Sequence, residues 1–439
     1  MSEGKQNFKS GIIICLGLLW LGFGLVIYTW NESYFFWNQI RLAPSYALSL
    51  GVPLYGNLEK DPLVWHLYGP CAPIFYYPAI LTGHPLKALV VGICMSWGLM
   101  MIGLWSCFRA WGISIQKSMA IILLVFALSF YFRIAWDLFR IMPDLPAVGF
   151  ALIAMAMAWK EKGFWSGFFL LLSLASKQTM IPMIGVIAWM MIHKNISFKK
   201  ICYGIGIAGL PFLIGLSWTG EIGRMVDATM TLPFSQPWKN LEEGESYLKI
   251  YFTQFMGEQR WLFFGFIISG FCSLRLKEGE EMKRIRFCSA LGIIFYSIGV
   301  LQFCKIGGAT NAFFFGIILF FTTLGIWGLW TWERIPNKFM VFKLTGLGLV
   351  FILIPTVFFE SYLMMKDLKK NITHPAVVCY EKFIDHPGSD FEKYLPLSQM
   401  MAEKKAYHIE DVLQSYRLGG IRVPEENLQR WLPQNGVKE

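Results

Sequence analysis

The sequence predicts an all-α polytopic membrane protein of about eleven transmembrane helices, with a small α-rich extracytoplasmic tail at its C-terminal end. Composition is the first ground: 55% of the 439 residues are hydrophobic and 15% charged, with a mean hydropathy of +0.48. A soluble chain carries about a quarter charged residues. The second ground is that apolar residues come in runs, not alternating stripes. SGIIICLGLLWLGFGLVIYTW (10–30) and FGIILFFTTLGIWGLW (315–330) are long enough, or nearly so, to cross ~30 Å of hydrocarbon as helices. The third is that Lys and Arg gather in short connections: Lys5/Lys9, Arg109/Lys117, Lys160/Lys162, Lys194/Lys199/Lys200, the 275–286 cluster and Arg334/Lys338/Lys343.

Placing all of these on the cytoplasmic side satisfies the positive-inside rule. That placement requires spans at 11–30, 88–107, 118–132, 143–159, 164–176, 180–192, 201–218, 261–274, 287–303, 311–331 and 343–358. The N-terminus is then cytoplasmic and the chain from about 359 lies outside. The first run is too long for a signal peptide and is followed by no small-residue cleavage site, so it reads as a retained span. The net charge of +10 is accounted for by topology, and nucleic acid is not an expected partner. The lipid bilayer is.

The expected organisation is a membrane domain over 1–358, with long outer loops at 31–87 and 219–260, and an extracytoplasmic tail over 359–439. Inner connections are short, so function is expected on the outer face. No internal repeat supports a transporter of inverted halves. The first outer loop opens with RLAPSYALSLGVPLY (41–55), which reads as an amphipathic interfacial helix. Its aromatic continuation (Tyr55, Trp65, Tyr68, Tyr76, Tyr77) suits either the headgroup belt or stacking on a sugar ring. In the tail, 389–405 and 409–420 read as short helices, the second closed by two glycines. Asp385, His386 and His408 read there as a site or, more simply, as solvated polar residues. The nine cysteines show no metal-ligand spacing. Cys71, Cys304 and Cys379 fall on the outer side, but nothing in the sequence pairs them.

Three polar interruptions carry the chemistry. Between Lys160/Lys162 and His193/Lys194 lie about thirty apolar residues broken by Ser176, Lys177, Gln178 and Thr179. Two short helices bring both basic clusters to one side, with Pro182 in the first turn of the second. Each arm, at 1.5 Å per residue, is roughly 20 Å long, so Lys177 sits up to ~10 Å below the outer surface. A lysine there faces protein or water, not lipid. It either holds an anionic group in an outward-open cavity, or it snorkels or pairs with a buried Asp. CKIGGATNAFFF (304–315) repeats the theme with Lys305 and Asn311, the latter a helix cap or a ligand contact.

FRIMPDLPAVGF (139–150) is the third interruption. Met142 precedes a proline and disfavours helix. Pro143 and Pro146 fit a first helical turn, whose amides have no helical partner. Asp144 then sits near the positive end of the helix dipole. There it either serves as a base for a hydroxyl or orients a cation, or it caps the helix and pairs with Arg140. Asp137 is a second candidate beside it.

These pieces, Ala47–Tyr55, Tyr68–Pro78, Arg140–Ala147, Ser176–Thr179 and Lys305–Asn311, resemble in order and placement the polytopic GT-C glycosyltransferases. More narrowly they resemble the bacterial RgtA/B/C/D-like and protein O-mannosyltransferase (glycosyltransferase family 39-like) group, over roughly residues 10–330. The resemblance implies transfer of a sugar, with inversion, from a polyprenyl-phosphate sugar donor to a glycan or lipid acceptor on the outer face of the bacterial cytoplasmic membrane. It implies Asp144 or Asp137 as base. Lys177, Lys305, Arg140 and Arg41 would be donor-phosphate contacts, and Gln178, Tyr55, Tyr68 and Asn311 sugar or acceptor contacts. No resident cofactor is implied, with a divalent cation left open. One departure stands out: the family's acidic Asp-Glu pair in the first outer loop falls about where this chain has Asn38 and Gln39. Amides cannot act as a base. Glu32, Glu59 or Asp61 then substitutes, or the base comes from the second outer loop, or the chain is a non-catalytic scaffold. A transporter or flippase for a lipid-linked or anionic solute is the alternative from another class.

Overall fold

The computed structural model describes residues 28–65, 67–131, 140–238, 279–304, 310–334 and 374–432, with a few isolated positions besides. Every element among them is helical: α1 (Phe36–Ser49), α2 (Cys71–Ile80), α3 (Pro85–Ala110), α4 (Ile115–Tyr131), α5 (Asp144–Trp159), α6 (Gly163–Ser176), α7 (Pro182–Lys194), α8 (Phe198–Trp218) and α9 (Ile222–Val226). A π-helical turn (Asp227–Thr231) and a single α-turn (Leu232–Ser235) continue α9, and then come α10 (Glu280–Phe303), α11 (Phe314–Arg334), α12 (Pro375–Asp385), α13 (Pro396–Glu403), α14 (Glu410–Leu418) and α15 (Glu425–Trp431). The helices α3, α8 and α10, and Phe314–Thr331 within α11, are long and apolar enough to cross a membrane. The predicted spans from 88–107 to 201–218, and those at 287–303 and 311–331, fall on α3–α8, α10 and α11. Those at 11–30, 261–274 and 343–358 lie wholly or mostly outside the described residues.

The chain forms two compact units, one holding α4, α10 and α11 and the other holding the remaining helices. In the first, α10 and α11 run antiparallel, pairing Gly292 with Phe320 and Gly316 with Tyr296, and Gly325 gives room to Ile121 of α4. The Asn311 backbone belongs to a 3-10 turn (Thr310–Phe313) leading into α11.

The second unit is built around α5, whose DLPAVGFALIAMAMAW sequence is buried along nearly its whole length. A helix apolar on every side belongs in the middle of a bundle. Small residues set its spacing: Gly103 of α3 faces Gly149 and Leu152 of α5. At the α6–α8 crossing a Cβ on Gly167 would stand 2.1 Å from the Ile201 carbonyl oxygen, and one on Gly204 2.0 Å from that of Phe164. Without apolar driving force between helices in lipid, such close backbone approach is what packing relies on. On the face of α8 opposite Gly204, Leu213 is 57% exposed, and Trp218 at the end of the helix is 90% exposed.

The polar break in the 163–194 stretch resolves into two short helices. The chain leaves α6 at Lys177, passes a 3-10 turn (Gln178–Met180) and returns as α7 with Pro182 at its start. Gly163 lies against Ile196 and Lys200, and the Lys194 ammonium stands 4.8 Å from the centre of the Trp159 ring. Lys160, Lys162, Lys194, Lys199 and Lys200 therefore collect at one end of this unit, and Lys177 lies at the other.

Several expectations are corrected. α1 begins five residues before the anticipated interfacial helix and buries Asn38, Gln39, Ile40, Leu42, Ala43, Ser45 and Ala47, so it is an internal helix, not a surface one. Tyr55, Trp65 and Tyr76 are buried in protein, not ranged along a headgroup belt. The thiols of Cys71, Cys304 and Cys379, for which the sequence offered no pairing, are free.

The tail belongs to this second unit, and hydrogen bonds fix it there. Ser398 donates through both its amide and its hydroxyl to Gln39 Oε1 at 3.0 Å each. Asn427 Nδ2 donates to the Leu58 and Asp61 carbonyls, and Trp431 Nε1 donates to that of Lys60. Asp385 and His386 are exposed. His374 accepts the Ala376 amide at the start of α12 and faces the Ser33 hydroxyl at 3.0 Å through Nε2. His408 accepts the Leu63 amide through Nδ1 and faces the Asn427 carbonyl through Nε2. Both need the neutral ring with its proton on Nε2.

Burial, opposed by the bond to Ser33 and joined by His84, pushes the His374 imidazole down to about 4. Burial also lowers that of His408. In the unfolded chain both titrate near 6.5, so tail docking is fully present above that pH. It is lost as pH falls towards 4, where the free rings take up protons that the docked ones refuse. Protease sensitivity of 374–432 followed from pH 7.5 to 4.5 should therefore rise through this window. His374→Asn, which keeps a cap and removes the titration, should flatten the rise; an unchanged profile in that variant means His374 is not the titrating group.

Candidate functional site

At the end of the second unit remote from the basic cluster, three cations and three carboxylates interlock. Asp144 is the first residue of α5, with Pro143 as its N-cap and no side-chain cap bond. Lys177 lies in extended backbone just past α6. The antiparallel packing of α5 on α6, tied by the Ser173 hydroxyl donating to the Ala147 carbonyl, brings the two together. Lys177 Nζ donates to Asp144 Oδ1 at 2.5 Å, and their side chains are 7% and 8% exposed. Of the open readings, pairing with a buried Asp holds for Lys177. Asp144 stands in the first turn of α5, as expected, and Arg140 pairs with Glu32. Both side chains of the Asp144–Lys177 pair are buried.

Over the pair lies Tyr68. Its ring centre is 5.7 Å from Lys177 Nζ and 5.2 Å from Arg41 Cζ, within the range where a ring face attracts a cation. Arg41, on α1, also lies 5.3 Å from the Trp37 ring and pairs with Asp411 of α14 at 3.3 Å. Tyr68 is held by its backbone. The Tyr55 hydroxyl and Trp65 Nε1 donate to its carbonyl at 2.7 and 3.1 Å. The residue before it, Leu67, sits at φ 62°, a left-handed conformation that costs a bulky residue about 1–3 kcal/mol. Two bonds hold it there: its amide donates to the Ala228 carbonyl, and its carbonyl accepts from Gln178 Nε2 at 2.6 Å. Strain of this kind clusters at functional sites.

Arg140 forms the third pair, 3.4 Å from the buried carboxylate of Glu32 and 4.1 Å from the Phe35 ring. Asn38 ties this pair to the start of α5: its Oδ1 accepts the Ile141 amide at 2.7 Å and its Nδ2 donates to the Glu32 carbonyl at 2.6 Å.

Arg41, Tyr68, Asp144, Lys177 and Gln178 thus come together, and Arg140 lies just before Asp144 in a neighbouring pair. Tyr55 is placed as an internal strut beneath Tyr68, its amide bonded to Glu221, not as a surface for a sugar. Asp137, Lys305 and the Asn311 side chain lie outside the described residues. Glu59 and Asp61 close a local turn with Asn57. The residue that sequence reasoning missed is Asp411. Only its place in the first turn of α14, where a carboxylate is favoured, set it apart. Among the described residues no three His, Cys, Asp or Glu side chains converge as a metal site.

Chemically the cluster offers cations for an anion and a carboxylate for a proton, at matched charge. Comparison with protein-family models, curated proteins and solved structures gave no match to this chain.

Proposed function

We propose that the chain is a membrane glycosyltransferase that moves a sugar from a polyprenyl-phosphate donor to an acceptor hydroxyl at the outer face of the bacterial cytoplasmic membrane. In this reading the basic end of the second unit faces the cytoplasm and the Lys177 end and tail face outward, as the positive-inside rule requires. The observation that carries it is the Asp144–Lys177 pair beneath Tyr68, at the end of a lipid-facing bundle opposite its basic residues.

The donor phosphate draws the Lys177 ammonium, and Asp144 is then free to take a proton. The acceptor oxygen attacks the anomeric carbon from the face opposite the phosphate, and its proton passes to Asp144. The carbon–oxygen bond to phosphate breaks with its electron pair leaving on the phosphate, whose charge Lys177 and Arg41 hold. Positioned basic groups act most where negative charge grows in the transition state, and a positioned carboxylate base contributes about 10²–10⁴-fold.

Membranes containing the protein, given a radiolabelled polyprenyl-phosphate sugar and candidate acceptors, should form new glycosidic bonds. Asp144→Asn should lower the rate at least about 100-fold. Wild-type rates in both Asp144→Asn and Lys177→Ala would sink the assignment. Label crossing the bilayer without a new glycosidic bond would favour a flippase.

A further inference from the structure

We propose that Asp411 is an internal occupant of the donor-phosphate site: its carboxylate holds the Arg41 guanidinium until a phosphate displaces it. This rests on the reading of Arg41 as a phosphate contact.

The charges lead there. Arg41, Arg140 and Lys177 are matched by Asp411, Glu32 and Asp144, so the described cluster is formally neutral. An anion entering a neutral cluster of low exposure gains little unless one carboxylate leaves its cation. The three differ in how freely they can leave. Asp144 opens the central helix of the bundle and sits 2.5 Å from its partner. Glu32 is 1% exposed in its side chain. The Arg41–Asp411 contact is longer, at 3.3 Å, and its side chains are 13% and 16% exposed. A change of the Asp411 side-chain rotamer parts the two without moving the tail, whose hold on α1 and on residues 58–63 runs through Ser398, His408, Asn427 and Trp431.

The exchange favours phosphate. A phosphate engages a guanidinium with two parallel hydrogen bonds, whereas Arg41 and Asp411 meet at 3.3 Å. Arg41 is meanwhile kept in place by the Trp37 and Tyr68 rings, so the receiving cation stays where the leaving carboxylate was. Without phosphate, Asp411 keeps a buried guanidinium from standing uncompensated. The tail thus both stabilises the empty site and competes with its ligand.

The test uses the full-length protein in nanodiscs and a short-chain polyprenyl phosphate as the probe. Asp411→Asn removes the competing charge at nearly unchanged shape and should bind the probe about tenfold more tightly. Asp411→Glu, which retains the charge, should stay within about twofold of wild type. In an Arg41→Ala background the gain from Asp411→Asn should vanish. Asp411→Asn binding at or below wild-type affinity overturns the proposal while leaving the proposed function standing. Absence of probe binding by the wild type and every variant overturns both.

Discussion

Replacing Lys177 with alanine is expected to destabilise the second unit by about 3–5 kcal/mol, because it removes the ammonium paired with the buried Asp144 carboxylate. The magnitude follows from two opposing terms. At 2.5 Å and an effective dielectric of about 20, the attraction is about 6–7 kcal/mol. Against it stands a desolvation cost of several kcal/mol for each ion. The intact pair therefore contributes little net stability, whereas a half-pair is costly. Lys177→Met combined with Asp144→Asn should accordingly recover most of the loss, since two neutral groups of similar shape replace two charges. Thermal unfolding in detergent measures both. If Lys177→Ala melts within a degree or two of wild type, the ion pair is not the buried contact described. Under the proposed function the double variant should be stable and still inactive in transfer, which separates the pair's part in folding from the part proposed for it in the reaction.

How much of this was legible in the sequence depended on whether the information was local. The starts of α5 and α7 are written in Pro143 and Pro182, and the 163–194 hairpin in a polar break set between basic ends. These signals act within a turn or two of themselves, and the observed helices agree with them to a few residues. Asp144 and Lys177 were also readable as neighbours, because two adjoining short helices must place the start of one beside the end of the other.

Other features were not local. α10 begins at Glu280, inside a charged cluster that hydropathy assigns to a connection; its Glu280 and Glu281 sit in the first turn, where acidic groups suit the helix dipole. α1 begins at Phe36–Trp37, in a stretch that hydropathy assigns to a loop. The pairings of Arg41 with Asp411 and Arg140 with Glu32 join residues far apart in the chain. No periodicity announces such a choice, because any outer carboxylate satisfies an arginine as far as sequence shows.

Placing an acidic residue at position 38, where the resemblance to GT-C enzymes would put one, should harm this protein. Asn38→Asp is expected to cost about 3 kcal/mol and to leave transfer activity no higher than wild type. The Asn38 side chain is fully buried and works in both directions, its carbonyl accepting the Ile141 amide and its amide donating to the Glu32 carbonyl. An aspartate retains the first bond and converts the second into two facing acceptors. An unmade buried bond costs about 1–3 kcal/mol, more for a charged group. The new carboxylate would also stand beside the already buried Glu32, the partner of Arg140. Asn38→Ser, neutral and smaller, should lose less than Asn38→Asp, because it opens a small void but brings no charge. The amide at this position joins α1 to the start of α5, two residues before the proline that opens the helix carrying Asp144. Its chemical role is to set where that carboxylate stands. A rise in transfer rate in Asn38→Asp, at unchanged melting temperature, would instead show that position 38 reaches the substrate and that the base belongs to the first loop.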